Sequence, residues 1–198
     1  MSDFPDRETL DLTPPPHLED IEAATATLNF ELASIPTTGA LLRTLAAAKP
    51  AANVLELGTG TGMATCWLLD GLDDDGHLVT VDIDPVVQQV AKINLGHDPR
   101  IAFVEQDGSE FLHNTQTHKF DLIFADALPG KFSELDEALS LLADGGIYVC
   151  DDLLPQDNWP EGHAPRVPLY IDDMKSRSDL EVEFWEWSSG ILLARKRA

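Results

Sequence analysis

The chain has 198 residues and carries 35 acidic against 13 basic side chains, a formal charge of -22 with a pI near 4.3. That length suits one ordinary domain with a sizeable core, and the charge repels phosphate backbones and anionic bilayers. No basic patch offsets it, Lys196 and Arg197 forming only a short tail, so nucleic acid and membrane surfaces are excluded as expected partners.

The beginning, MSDFPDRETL, lacks the basic and apolar regions of a secretion signal, and no apolar stretch approaches membrane-spanning length. A cytoplasmic protein is expected. Cys66 and Cys150 sit singly inside apolar segments, which reads as buried thiols in a reducing compartment.

Asp3 to Pro16 is polar and proline-interrupted, so an extended arm is predicted over 1–16. A helical cover follows over 17–49. Ile21, Ala24, Thr25 and Leu28 share one helical face, and after Pro36 so do Leu41, Leu42, Leu45 and Ala48. One domain over 1–198 is expected, with no repeat or linker.

Next come five short apolar runs, NVLEL, HLVTVD, RIAFVEQ, FDLIFAD and GGIYVCD, which read as strands. Helices are predicted between them near Gly62 to Leu72, Pro85 to Leu95, Gly108 to Thr115 and Phe132 to Leu142. This alternation implies a parallel sheet with helices on both faces. Glu56, Asp82, Asp107, Asp126 and Asp151 stand at successive strand ends, which line the ligand crevice of such a sheet. Leu153 to Val167 reads as a functional loop. Leu180 to Trp187, then ILLARK after Ser188, Ser189 and Gly190, reads as a closing antiparallel hairpin.

ELGTGTG lies between a strand and a helix, where its glycines permit a tight turn and close backbone approach to a ligand. It lacks the Gly-Lys-Ser/Thr of a phosphate loop, and Met63 stands where a dinucleotide fingerprint has glycine. Glu56 adds negative charge beside the turn, so a cofactor without phosphates is favoured. Asp82 can accept hydrogen bonds from ribose hydroxyls, or cap the helix at Pro85. Asp107 can accept from an adenine amino group, or cap its own helix.

With VLELGTGTG, VTVDID, FDLIFADA, GGIYVCDD and the closing hairpin in place, the chain resembles the class I S-adenosylmethionine-dependent methyltransferases from about Pro36 to its end. Within them it is more similar to the small O-methyltransferases that include the catechol and caffeoyl-coenzyme A enzymes. The resemblance implies a Rossmann-like fold, a mostly parallel seven-stranded sheet closed by the antiparallel hairpin. It assigns Glu56, Gly58, Thr59, Gly60 and Met63 to the cofactor turn, Asp82 and Ile83 to the ribose side, and Asp107, Gly108 and Ser109 to the adenine side. Thr37, Thr38 and Gly39, in IPTTGALL, become contacts to the methionine end, with Trp67 either walling the cofactor or packing.

Metal-dependent relatives place an Asp after the fourth strand and an Asp-Asn pair after the fifth, which fall here on Asp126, Asp151 and Asp152. An Mg²⁺ site is the expectation, with Asp in place of the second-pair Asn. The relatives also carry a Lys three residues after the first Asp, where this chain has Pro129. Lys131 either swings inward or faces solvent, and His163 is the other candidate base. Without metal, Asp126 would stay near the cofactor while Asp151 or Asp152 binds a polar acceptor. Phe132, Trp159 and Phe30 are candidate substrate walls suited to a phenol or catechol. Trp185 and Trp187 suit sheet packing or a homodimer contact. The expected activity is methyl transfer to a small, aromatic hydroxyl compound. Metal-independent O- or N-methylation and non-catalytic S-adenosylmethionine binding stand beside it.

Overall fold

A computed structural model of the chain describes residues 12–115 and 119–197. Its strands are β1 (Asn53–Leu57), β2 (His77–Asp82), β3 (Ile101–Glu105), β4 (Phe120–Ala125), β5 (Leu142–Cys150), β6 (Leu180–Trp185) and β7 (Ile191–Lys196). They form one seven-stranded sheet in the order β3-β2-β1-β4-β5-β7-β6. β1 to β5 are parallel, and β7 runs antiparallel to both β5 and β6. The mostly parallel sheet and closing hairpin agree with expectation.

Strand order reverses at β1 and β4, so a crevice opens beyond their carboxyl ends. β1 and β4 are almost wholly buried, which explains their continuous apolar sequence. β6 instead alternates, exposing Glu181, Glu183 and Trp185, and it pairs along only one side.

The helices are α1 (Leu18–Leu28), α2 (Pro36–Ala47), α3 (Met63–Gly71), α4 (Pro85–Leu95), α5 (Gly108–Asn114), α6 (Leu135–Ser140) and α7 (Arg166–Ser176). Leu42, Trp67, Leu68 and Leu95 of α2, α3 and α4 join Ile21 of α1 in one apolar cluster, while Phe111, Ala138, Tyr170 and Met174 of α5, α6 and α7 join a second. Helices therefore cover both faces. α1 buries Leu18 and Ile21 but leaves Leu28 exposed, so only part of its apolar stripe is used.

One expectation needs correction, one helix was not foreseen, and one expectation lies largely outside the described residues. The helix predicted from Phe132 to Leu142 shrinks to α6, because amides of Lys131, Phe132 and Ser133 all turn back to the Leu128 carbonyl and Leu142 already belongs to β5. α7 had no counterpart in the sequence reading: it buries only Val167, Tyr170 and Met174, too sparse a stripe amid charged residues. The arm expected over 1–16 falls mostly on residues 1–11, outside the described residues, and residues 12–17 precede α1 without helix or strand.

Candidate cofactor and metal site

The turn after β1 is shaped by contacts that admit little else. Gly58 has φ +101, and a Cβ there would lie 2.6 Å from the Asp126 carbonyl oxygen. The amides of Gly58 and Thr59 donate to the Val81 carbonyl, and that of Asp126 donates to Leu57, so β1, β2 and β4 meet at this point.

Beneath the turn lies a buried polar network. Gln88 Nε2 donates to the Thr59 hydroxyl at 3.0 Å, Thr59 and Thr80 share a 2.6 Å hydrogen bond, and Thr80 and Thr65 both donate to Oε2 of Glu56. Glu56 is fully buried and its Oε1 has no partner. Burial pushes its carboxyl up to about 8 against the pull of the Thr65 and Thr80 hydrogen bonds, so Glu56 carries its proton at neutral pH. The acid expected beside the cofactor supports the turn from below instead.

Above the turn is a cavity of about 380 Å³, within the roughly 300–1,000 Å³ of small-molecule sites. Gly58, Thr59, Gly60, Met63, Asp82, Ile83, Asp107, Gly108 and Asp126 all line it, as expected for a shared ligand. The two readings of Asp82 are resolved by Asp84, which caps α4 by accepting from the amides of Val86 and Val87. Asp82 accepts from the Gly60 amide at 2.7 Å and faces the cavity. Asp107 caps α5, one oxygen accepting from the amides of Ser109 and Glu110, and the residue also lines the cavity.

Other expected cofactor contacts lie elsewhere. Ser109 donates to Glu134. Thr37 and Thr38 bind the hydroxyl of Ser188 in the β6–β7 turn, because α2 packs its first turn there. Gly39 is pressed against Trp67, whose ring would be 2.3 Å from an added Cβ; Trp67 is core, with Arg43 over its outer face.

The three acids of the expected metal corner lie together. Asp126, Asp151 and Asp152 each offer a carboxylate oxygen, all within 4.8 Å of one another. Asp151 is 1% exposed, accepts from the Asp152 amide at 2.7 Å and from the Ser189 hydroxyl. Burial and the neighbouring Asp152 carboxylate push it up to about 6. Burial, then Asp152 and Asp151, raise Asp126 well above the carboxylate range. Three crowded hard carboxylate oxygens are a donor set suited to Mg²⁺. Asp152 has φ +63, a left-handed conformation that Asn and Asp tolerate better than other side chains.

Lys131 swings inward. Gly130, at φ +86 and with no room for a Cβ beside Leu57, turns the chain, and the Tyr148 hydroxyl donates to its carbonyl at 2.6 Å. Lys131 is 4% exposed. Burial alone lowers its pKa, but the charges of Cys150, Asp126, Asp152 and Asp151 raise it overall. The Cys150 thiol is itself pushed up to about 12 by burial and is neutral at pH 7, so the three carboxylates are the effective partners.

His163 donates from Nε2 to the Asp152 carbonyl at 2.9 Å, stacks on Trp159 with centroids 4.5 Å apart, and meets the edge of Phe132. Burial lowers its pKa despite that hydrogen bond. Sequence reasoning named Phe30, as a substrate wall, but missed the strap from Asn29 to Ile35 that carries it. Phe30 lies over Gly60, Ser34 donates to Asp126 Oδ2, and Asn158 of the 153–165 loop donates to the Glu31 carbonyl. Leu32, Ala33 and Ser34 line both the cofactor cavity and a small recess at Asp151 and Asp152. No periodic pattern marks this segment.

Residues 55–153, half of the chain, match a family described as a methyltransferase domain. The chain belongs to this family. A relative from Mycobacterium sp. (strain JLS), provisionally named an O-methyltransferase, is 37% identical over 119 residues, covering 58% of this chain and 54% of the relative. The chain thus spans about half the length of the curated relatives it matches. The O-methyltransferase TomG from Streptomyces achromogenes, involved in tomaymycin synthesis and solved with SAM, superposes with a TM-score of 0.79 at 24% identity, over 96% of this chain and 93% of that one. The O-methyltransferase from Bacillus cereus in complex with SAH gives 0.80 at 23% identity, over 94% of each chain. At those identities the likeness shows the shared fold. Among the described residues, no helix is long and apolar enough to cross a membrane.

Proposed function

We propose that the chain is an S-adenosylmethionine-dependent O-methyltransferase acting on a small aromatic hydroxyl compound such as a phenol or catechol. What carries this reading is a single juxtaposition: Asp126 lines the cofactor cavity and also belongs to the three-carboxylate corner. A methyl donor in the cavity and an acceptor oxygen at that corner would then be neighbours, as in-line transfer requires.

S-adenosylmethionine would supply an activated methyl group. Asp82 is placed to accept from ribose hydroxyls, Asp107 to accept from the adenine amino group, and Met63 and Ile83 to wall the site. Asp126, Asp151 and Asp152 would hold Mg²⁺, which orients a hydroxyl and eases loss of its proton. His163 is in the state to receive that proton, since its pKa is lowered and its Nε2–H is committed to Asp152, leaving Nδ1 as acceptor. Lys131 holds its proton more firmly than usual, so its contribution is positive charge beside the acceptor oxygen. Trp159, stacked on His163, and Phe132, edge-on to it, are apolar surfaces suited to a flat ring.

The buried Lys131 also favours a second reading, transfer without metal, with the ammonium as counter-charge to the three acids. A methyl-transfer screen of catechols, other phenols and amines, with Mg²⁺ and after rigorous chelation, tests both. Transfer to phenols that stops on chelation supports the first; transfer that persists supports the second. Failure to bind S-adenosylmethionine in a calorimetric titration sinks both.

A further inference from the structure

His17 stands at the N-terminus of α1 and His97 just beyond the C-terminus of α4. They meet beside a cavity of about 220 Å³ that Cys66, Asp70, Asp98 and Arg100 also line. Arg100 immediately precedes β3, so this cavity lies toward the amino ends of the strands, away from the cofactor turn. Both imidazoles are exposed, and among the described residues neither ring has a hydrogen-bond partner. Their centroids are 5.3 Å apart at an interplanar angle of 73°.

Two imidazoles sharing one tetrahedral ion, with metal–nitrogen bonds of about 2.0–2.1 Å, bring their ring centroids to roughly 5.2 Å. The observed separation of 5.3 Å is close to that value, and rotation of the two exposed side chains would be needed to turn a nitrogen of each ring toward one ion. The surroundings favour a cation. Asp70 keeps Oδ1 uncommitted, since only its Oδ2 binds Arg43. Asp98 neutralises Arg100 through two of its donor groups. The chain as a whole carries a charge of -22, which concentrates cations at its surface.

We propose that His17 and His97 form a second metal site, selective for imidazole-seeking divalent transition ions such as Ni²⁺, Zn²⁺ or Cu²⁺. The site ties α1 to α4. α1 runs directly into the strap over the cofactor cavity, and its Thr25 shares a 2.7 Å hydrogen bond with Thr61 of the glycine turn. An ion here fixes the base of the element that covers the cavity.

The test is calorimetric titration of the full chain with Ni²⁺ in excess Mg²⁺, which occupies carboxylate sites. One equivalent is expected to bind the wild-type chain and Asp151→Asn, raising the melting temperature of each, and to be lost from His17→Gln and from His97→Gln. Melting of the metal-free variants checks that they are folded. Electron paramagnetic resonance of the Cu²⁺-loaded wild-type chain reads the same ligands without substitution, through coupling to two imidazole nitrogens. No binding by the wild-type chain, binding that survives replacement of both histidines, loss in Asp151→Asn, or a spectrum without imidazole nitrogen overturns the site.

Discussion

The hydroxyl of Ser34 donates to Oδ2 of Asp126 at 2.9 Å, fastening the strap before α2 to the carboxylate at the end of β4. One hydrogen bond thus joins the cover of the cofactor cavity to the acid corner. Ser34→Ala removes a hydrogen bond to a half-buried carboxyl whose pKa is raised, typically about 0.5–1.5 kcal/mol for such a bond. Weaker cofactor binding is expected, by about two- to tenfold, with a smaller change in kcat. Steady-state kinetics varying S-adenosylmethionine separate the two, and an unchanged KM contradicts a fastening role.

Asp82 accepts from the Gly60 amide while facing the cavity, so Asp82→Ala removes a brace of the turn together with the proposed ribose acceptor. Affinity for S-adenosylmethionine should fall by about ten- to a hundredfold, the equivalent of roughly 1.5–3 kcal/mol. Asp84→Ala, by contrast, removes the cap of α4 and should cost about 1 kcal/mol of stability while leaving affinity nearly intact. Titration calorimetry beside thermal melting distinguishes them.

The two aspartates that follow β5 should respond differently. Asp152 already adopts the left-handed backbone that Asn also favours, so Asp152→Asn should keep most Mg²⁺-supported activity. Asp151 is buried against Ser189, and Asp151→Asn should abolish metal support. Activity against Mg²⁺ concentration for both variants checks this, and equal loss in the two would remove the distinction.

Glu56 gives a pH dependence with a definite sign. Its folded pKa, about 8, lies above the unfolded value of 4.5, so the folded state retains a proton that the unfolded state has lost between those values. Stability contributed by this group is full below pH 4.5 and declines by up to about 1.4 kcal/mol per pH unit until pH 8. Asp151, also raised, acts in the same direction up to about pH 6. Melting temperature should therefore fall between pH 5 and 8, and Glu56→Gln should flatten that slope, most clearly between pH 6 and 8. Parallel slopes for both proteins would contradict a buried, protonated Glu56.

Gly39 tests a distinction that only packing reveals. Gly39→Ala drives a Cβ into the Trp67 ring and should destabilise by about 1–3 kcal/mol, read by chemical denaturation. Since Gly39 does not line the cavity, cofactor affinity of the folded fraction should not change.

The sheet was legible because parallel strands buried on both faces need continuous apolar runs, and strand-end acids fall at the crevice. Asp82, Asp107 and Asp126 could be found by that logic alone. Glu56 could not be separated from them, since the same strand-end position fits an acid above the turn or below it. α7 was hidden because three buried side chains suffice to dock it. Lys131 depended on whether Gly130 would direct the chain inward, which rests on its contact with Leu57 from a distant strand. Ser34 and Ser189 carry no local signal, as each matters only through an aspartate far along the chain.

β6 pairs along one side only, and Glu181 and Glu183 stand on its exposed face. Those glutamates keep the open backbone edge from recruiting a strand of another molecule. Acidification toward the pI of 4.3 strips that guard while it strengthens the interior around Glu56. Thermal endurance and colloidal endurance thus pull in opposite directions. The mildly acidic buffer in which each molecule resists unfolding best is also the one in which concentrated solutions will be first to cloud.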